Sequence, residues 1–143
     1  MELDAIDEAI LGTLRIDGRM SYRELGESVG LSPTAVAARV DRLVTSGVIS
    51  GFEARINHHA LGNTIHALVD IRFNQSRYGS DFIPLLESLP EVTAARFVTG
   101  PFDCALDVWV ASPEKLNALL GDLKVTGDVA EMQTRLVLKT TKT

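Results

Sequence analysis

The sequence predicts an α+β chain in two parts: a three-helix unit built round a winged helix-turn-helix, then a unit whose strands and helices run βαββαβ. Three observations carry this prediction. Between Met20 and Gly47 one helix start signal follows another with only a glycine-centred turn between them. From Asn57 to Asn63 every apolar period breaks. From Ile65 to Leu138 two-residue alternation and helical spacing take turns.

In chain order, Leu3, Ile6, Ile10, Leu11 and Leu14 mark an amphipathic helix capped by Asp4 and ending at Asp17, with Gly18 as its stop. Ser21 caps the next helix: Glu24 three residues on closes a capping box, and Met20 and Leu25 form a hydrophobic staple. Gly30 ends it, and Leu31, Ser32 and Pro33 then repeat the start signal as N′, N-cap and N1. Val36, Val40, Leu43 and Val44 share one face of the helix that follows, and Gly47 stops it. Beyond that, Phe52, Ala54 and Ile56 alternate with Glu53 and Arg55, which predicts a strand or short β-ribbon, bulged at Gly51, where a winged helix carries its wing. Residues 1–56 are thus expected to form one domain, 57–63 a hinge and 64–143 a second domain.

In the second domain Ile65, Ala67, Val69, Ile71 and Phe73 alternate with His66, Leu68, Asp70 and Arg72, a strand with one dry face. Ser80 is expected to cap a helix carrying Phe82, Leu85, Leu86 and Leu89. Strands follow at Val92 to Thr99 and Cys104 to Val110, joined by the turn Gly100-Pro101-Phe102-Asp103. Ser112 and Pro113 start a helix with Leu116, Leu119, Leu120 and Leu123, and Gly127 precedes a last strand from Val129 to about Leu138. This order gives a ferredoxin-like fold with both helices on one sheet face. The other face then carries His66, Leu68, Asp70, Arg72, Ala105, Asp107 and Trp109, too apolar at Leu68 and Trp109 for water and too polar for a core. A sheet-on-sheet homodimer resolves this, with opposite charges pairing across a two-fold axis, so Leu68, Asp70, Arg72, Asp107 and Trp109 are the expected dimer interface.

The chain has 143 residues, a hydrophobic fraction of 45% and a formal net charge of −5. No apolar run of about eighteen residues and no leader pattern appears, so a cytoplasmic protein with no membrane partner is expected. The single cysteine, Cys104, excludes an internal disulfide and reads as a small buried residue. No glycine-rich phosphate loop, Ser/His/Asp set or metal-ligand spacing is present, so no catalytic residue, cofactor or metal is expected.

In the helix-turn-helix, the second helix turns Thr34, Ala35, Ala38, Asp41, Arg42 and Thr45 away from its apolar stripe, with Arg39 on the flank. Small side chains let a helix approach base edges in the major groove, and guanidinium groups reach phosphate or guanine. The candidate contacts to double-stranded DNA are therefore Ser21, Tyr22, Ser32, Pro33, Thr34, Ala35, Ala38, Arg39 and Arg42. Charge weighs against this reading: residues 1–56 hold six arginines against nine acids. An ordinary solvated helix face is the competing reading.

Taken together, the residues resemble the leucine-responsive/asparagine-synthesis regulator (Lrp/AsnC, feast/famine) family. The resemblance rests on Leu3-Asp4 with Asp7, Gly18-Arg19, Ser21-Tyr22 with Leu25, Gly30-Leu31-Ser32-Pro33, Val36, Arg39-Val40, Arg42-Leu43 and Gly47-Val48-Ile49. It continues through Leu61-Gly62, Thr99-Gly100 with Asp103, and Thr134. It implies a sequence-specific DNA-binding transcriptional regulator whose ferredoxin-like (RAM-type) domain binds a small effector, in many members an amino acid. It also implies homodimers that assemble into tetramers or octamers. It places the effector near Thr99, Gly100, Pro101, Phe102 and Asp103, with Thr134 in the last strand; a simple hairpin turn capped by Asp103 is the alternative. Pro101 removes an N–H that a carboxylate would use, and Ala38 and Asp41 stand where the family often has basic residues. Two other classes share the architecture: an effector-binding assembly protein without DNA binding, and siroheme-decarboxylase-like enzymes, which would give His58, His59 or His66 a role. Against the enzyme, adjacent histidines in a loop are expected to point to different sides, His66 alternates with core residues in a strand, and no second basic cluster is expected to converge with them.

Overall fold

The computed structural model describes residues 2–74, 82–125 and 128–141. The expected cap Ser80 and Gly127, which precedes the expected last strand, lie outside the described residues. The chain divides into two compact units, Met1–Arg55 and Ile56–Thr143, each with its own hydrophobic cluster.

The first unit holds α1 (Ala5–Ile16), α2 (Tyr22–Val29) and α3 (Pro33–Thr45). All three are started by side chains that take up orphan backbone N–H groups. Asp4 caps α1 in a reciprocal box with Asp7, Ser21 caps α2 in a box with Glu24, and Ser32 accepts from the Ala35 amide with Pro33 behind it. The two hydrogen bonds that Ser21 makes to Glu24 hold that carboxyl below its usual range. Gly30 sits at φ 72°, a left-handed conformation that lets the chain leave α2 and enter α3 within three residues. Ile10, Leu25, Val36, Val40 and Leu43 are buried against one another, each contributing about 1.5–3 kcal/mol by leaving water. Val44, expected on the apolar face, is exposed because it lies at the edge of that stripe.

The predicted wing is absent. Residues 50–56 have no strand, and Phe52 and Ile56 are exposed. Alternation alone makes a chain able to be a strand; it becomes one only when a neighbour satisfies its backbone groups, and the described first unit has no other strand.

The second unit holds a short 3₁₀ turn (His59–Leu61), β1 (Ile65–Phe73), α4 (Phe82–Ser88), β2 (Val92–Phe97), β3 (Cys104–Val110), α5 (Pro113–Val125) and β4 (Val129–Leu136). The sheet order is β2-β3-β1-β4 and every pairing is antiparallel. Ala67, Val69 and Ile71 of β1 and Cys104, Leu106, Val108 and Val110 of β3 pack with Phe82, Leu86, Leu119 and Leu123 of the helices. The alternation read from the sequence thus sets which face is dry. Burial pushes the Cys104 thiol up to about 11, against a weaker opposing backbone hydrogen bond from Arg96.

Candidate nucleic-acid interface and effector-side residues

The residues proposed to meet DNA lie on α3 and the first turns of α2 and α3. Ser21, Tyr22, Ser32, Pro33, Thr34, Ala38, Asp41 and Thr45 are exposed, and Ala35 is half-buried. The α3 surface between Thr34 and Thr45 therefore presents small side chains to solvent. The hydroxyls of Ser21 and Ser32 are already engaged with their own helix starts, and the Glu24 carboxylate occupies the positive end of α2.

The two arginines of α3 are not free. The Arg39 Nη1 donates to both Asp4 oxygens, at 2.9 and 2.7 Å, and to Asp7 Oδ1 at 2.8 Å. The Arg42 Nη2 donates to Asp7 Oδ2 at 2.7 Å. Asp7 is fully buried, whereas the side chains of Asp4 and Arg42 keep 51% and 49% of their exposure, so one end of this network is locked and the other is open to solvent. Burial alone would raise the Asp7 carboxyl; the hydrogen bonds from Arg39 and the Asp4 amide, with the charge of Arg42, outweigh it and hold it below the ordinary range. Asp4 is lowered chiefly by Arg39, and Arg39 is raised chiefly by Asp4.

The expectation that Arg39 and Arg42 stand ready for phosphate therefore changes: both first tie α3 to α1. Sequence reasoning took Asp4 as the cap of α1 and Asp7 as part of the family resemblance, and aimed neither at an arginine. A signal was present, since Asp7 falls on the apolar stripe of α1 between Leu3 and Ile10, and an acid there needs a cation facing it. Arg23 pairs with Glu27 on the surface. Arg15, Arg19 and Arg55 make no ion pair among the described residues, and all three line an open groove between the end of α1 and residues 48–55, floored by Leu11, Leu14, Ile49 and Phe52.

In the second unit the open sheet face carries the expected residues, but its charges are paired within one chain instead of being left for a two-fold axis. Arg135 donates to Asp70 at 2.6 Å, Arg72 to Glu131, and Arg96 to Asp107 at 2.8 Å. Cross-strand register explains this: Arg72 faces Glu131 directly, Arg135 is the diagonal neighbour of Asp70, and Arg96 that of Asp107. His66 Nε2 lies 2.9 Å from Asp107. Burial opposes ionisation of Asp107, but His66 and Arg96 together hold it below the usual carboxylate range.

The histidines do converge, contrary to the sequence expectation. Trp109 stacks with both His66 (centroids 4.3 Å apart) and His58 (4.6 Å), with His59 edge-on at 5.4 Å. His66 and Trp109 are register partners on β1 and β3, which places the rings side by side. The 3₁₀ turn at His59–Leu61 then brings the loop back over the sheet, so sequence adjacency says nothing about the direction of its side chains. Among the described residues no group of three or more His, Cys, Asp or Glu is placed to hold a metal ion.

Of the effector-side residues, Thr99, Gly100 and Pro101 are exposed at the β2–β3 turn, where Gly100 has φ 115°. Phe102 is half-buried. Asp103 Oδ2 accepts from the Phe73 amide at 2.9 Å, and its own N–H donates to the Ile71 carbonyl at 2.8 Å, so one carboxylate oxygen ties the end of the turn to the last residue of β1. Thr134 pairs with Val69 on β4, across β1 from the strands that form the turn, so the turn and Thr134 do not meet within one chain.

Residues 3–44 match the AsnC-type helix-turn-helix domain, and residues 66–143 match the Lrp/AsnC ligand binding domain. The chain is 35% identical to the leucine-responsive regulatory protein of Escherichia coli over 99% of this chain and 88% of that protein. It is 37% identical to the HTH-type transcriptional regulator LrpA of Mycobacterium tuberculosis, over 96% and 91%. Among solved structures, LrpC of B. subtilis superposes with a TM-score of 0.90 at 26% identity, covering 100% of this chain and 99% of that one.

Proposed function

The chain belongs to the Lrp/AsnC family of transcriptional regulators, and on that premise we propose that α3 enters the major groove of double-stranded DNA with Thr34, Ala35 and Ala38 toward the base edges. The observation that carries this reading is the exposed, small-residue surface of α3 in a helix-turn-helix whose turn admits no further residue. Ser21, Tyr22, Ser32 and Pro33 are exposed beside that surface, where the DNA backbone would pass, with the Ser21 and Ser32 hydroxyls serving as caps and Glu24 filling the positive end of α2. Arg42 offers its exposed half, Arg39 serves mainly to hold α3, and the unpaired Arg15, Arg19 and Arg55 are the remaining cations for phosphate.

In this reading residues 1–56 read DNA, 57–63 form the joint, and 64–143 bind an effector and assemble the protein. Leu68 and Trp109, flanked by neutralised ion pairs Asp70–Arg135, Arg72–Glu131 and Arg96–Asp107, suit a face that packs on a second copy, giving a homodimer that assembles further to a tetramer or octamer. The effector is an amino acid, as the name of the leucine-responsive relative suggests, held at the turn Thr99–Asp103 with Thr134 supplied by another subunit. The histidines serve packing round Trp109 and take no catalytic role. No described helix is long and apolar enough to cross a membrane, and a cytoplasmic location fits this role.

Two measurements test the reading. Fluorescence anisotropy with the duplex upstream of the chain's own coding region is expected to show binding, and Ala38→Glu to weaken it at least about tenfold through an acid set against the groove; equal binding by both proteins would remove α3 from the interface. Thermal melting against the twenty amino acids is expected to single out one or a few, a ligand at about 100 times its Kd adding about 2.7 kcal/mol. Asp103→Ala is expected to abolish that shift, and a shift that survives it would move the effector elsewhere.

A further inference from the structure

The geometry points to Asp4 and Asp7 as internal rivals of the DNA backbone: they occupy the cations of α3 as two phosphates would, and so limit how strongly this chain holds DNA of any sequence. The inference rests on the DNA-binding reading above. A carboxylate presents paired acceptor oxygens to a guanidinium much as a phosphate does. Here one guanidinium nitrogen of Arg39 is shared by three carboxylate oxygens, and Arg42 gives one nitrogen to the fourth.

The two acids differ in what DNA could do to them. Asp7 is sealed and holds one nitrogen of each arginine, whereas Asp4 is half-exposed and its contacts with Arg39 can be exchanged for an incoming phosphate. Six arginines face nine acids in residues 1–56, and two of the six, on the very helix that would meet the groove, are engaged by the acids of α1. Sequence-independent affinity grows with each phosphate neutralised, about 0.9 in the slope of log K against log salt per contact. Withholding Arg39 lowers that component and leaves discrimination to the small residues of α3. Asp4 is therefore a specificity-determining residue that touches no DNA.

The test is Asp4→Asn, because asparagine caps a helix about as well as aspartate while removing the charge that competes for Arg39. Asp4→Ser, a second uncharged cap, guards against a fold defect in the first variant, and helix content at 222 nm reports folding in both. Binding to a random-sequence 30-base-pair duplex is expected to tighten between about twofold and fivefold, the range of an exposed ion pair made available. The salt slope is expected to steepen by about 0.9 per protomer engaged, and the preference for the upstream duplex over the random one to shrink. Adding Arg39→Gln to either variant is expected to cancel the gain. Folded variants with unchanged random-duplex affinity and unchanged slope would overturn the inference while leaving the DNA-binding reading intact. Failure of the unaltered protein to bind either duplex would overturn the reading itself, and the inference with it.

Discussion

Gly26→Ala is expected to cost the first unit about 3 kcal/mol, the upper end of what overpacking a closed site costs. A Cβ at this buried position would lie 2.5 Å from the Leu31 carbonyl oxygen and 3.5 Å from the Pro33 nitrogen, both backbone atoms. No side chain can swing aside to make room. The same two segments are tied by the hydrogen bond from the Leu31 amide to the Gly26 carbonyl at 3.0 Å, so moving them apart also loses the bond that closes the turn. A unit of about 55 residues has on the order of 3–8 kcal/mol in total, which makes this one methyl group enough to bring it near its threshold. Thermal denaturation followed at 222 nm is expected to show a first transition lowered by on the order of 15 °C. Gly12→Ala is the control: it sits in α1 with nothing within 4 Å of an added Cβ, and is expected to be neutral or to stabilise by up to about 1 kcal/mol. Equal melting of the two variants would mean that the turn between α2 and α3 has room for a methyl group at Gly26.

The second large effect is expected at Asp7. Asp7→Ala leaves Arg42 without an ion-pair partner and Arg39 with Asp4 alone, removes the reciprocal half of the α1 capping box, and opens a space beside Ile10. Removing one member of a buried pair is more damaging than the pair is stabilising, because the partners keep their desolvation cost. The loss is expected to exceed that of Ser32→Ala, a helix cap worth about 1 kcal/mol. Because the one tryptophan, Trp109, lies in the second unit, its emission is expected to hold while the 222 nm signal of the first unit falls. Loss of both signals together would show that the units do not unfold separately. Acid should reproduce the effect in the unaltered protein. The folded carboxyls of Asp4 and Asp7 titrate below their ordinary value of 3.8, so their contribution is complete above that pH and is lost as the pH falls through the lower, folded values. The helical signal of the first unit is therefore expected to be flat between pH 7 and 4 and to fall below 3.8; a transition already complete at pH 5 would place the acid-sensitive group elsewhere.

These two sites mark where sequence reading stops. The caps at Asp4, Ser21 and Ser32 were legible because a cap is decided within four residues, and the open and dry faces of β1 and β3 were legible because a strand's period fixes which side each residue takes. The contact between Asp7 and Arg39 spans 32 residues, and composition gives only the charges and not which acid is aimed at which base. Even so, an aspartate on the apolar stripe of α1 and an arginine on the flank of that of α3 were visible as two unexplained charges. The wing failed for the complementary reason: Phe52, Ala54 and Ile56 satisfy the local rule for a strand, but the ladder needs a second strand that this unit does not supply. His58 and His59 were misplaced because a 3₁₀ turn, unlike a strand, has no two-residue period to read.

Cys104 has a practical consequence. With its sulfur inside β3 and its proton held to about pH 11, it offers almost no thiolate to an alkylating reagent at neutrality. A cysteine introduced on the outer surface of α3 or at the β2–β3 turn would then be the sole reactive thiol of a native chain. Dyes, spin labels or cross-linkers could be attached at one chosen place without first removing the natural sulfur and disturbing the sheet.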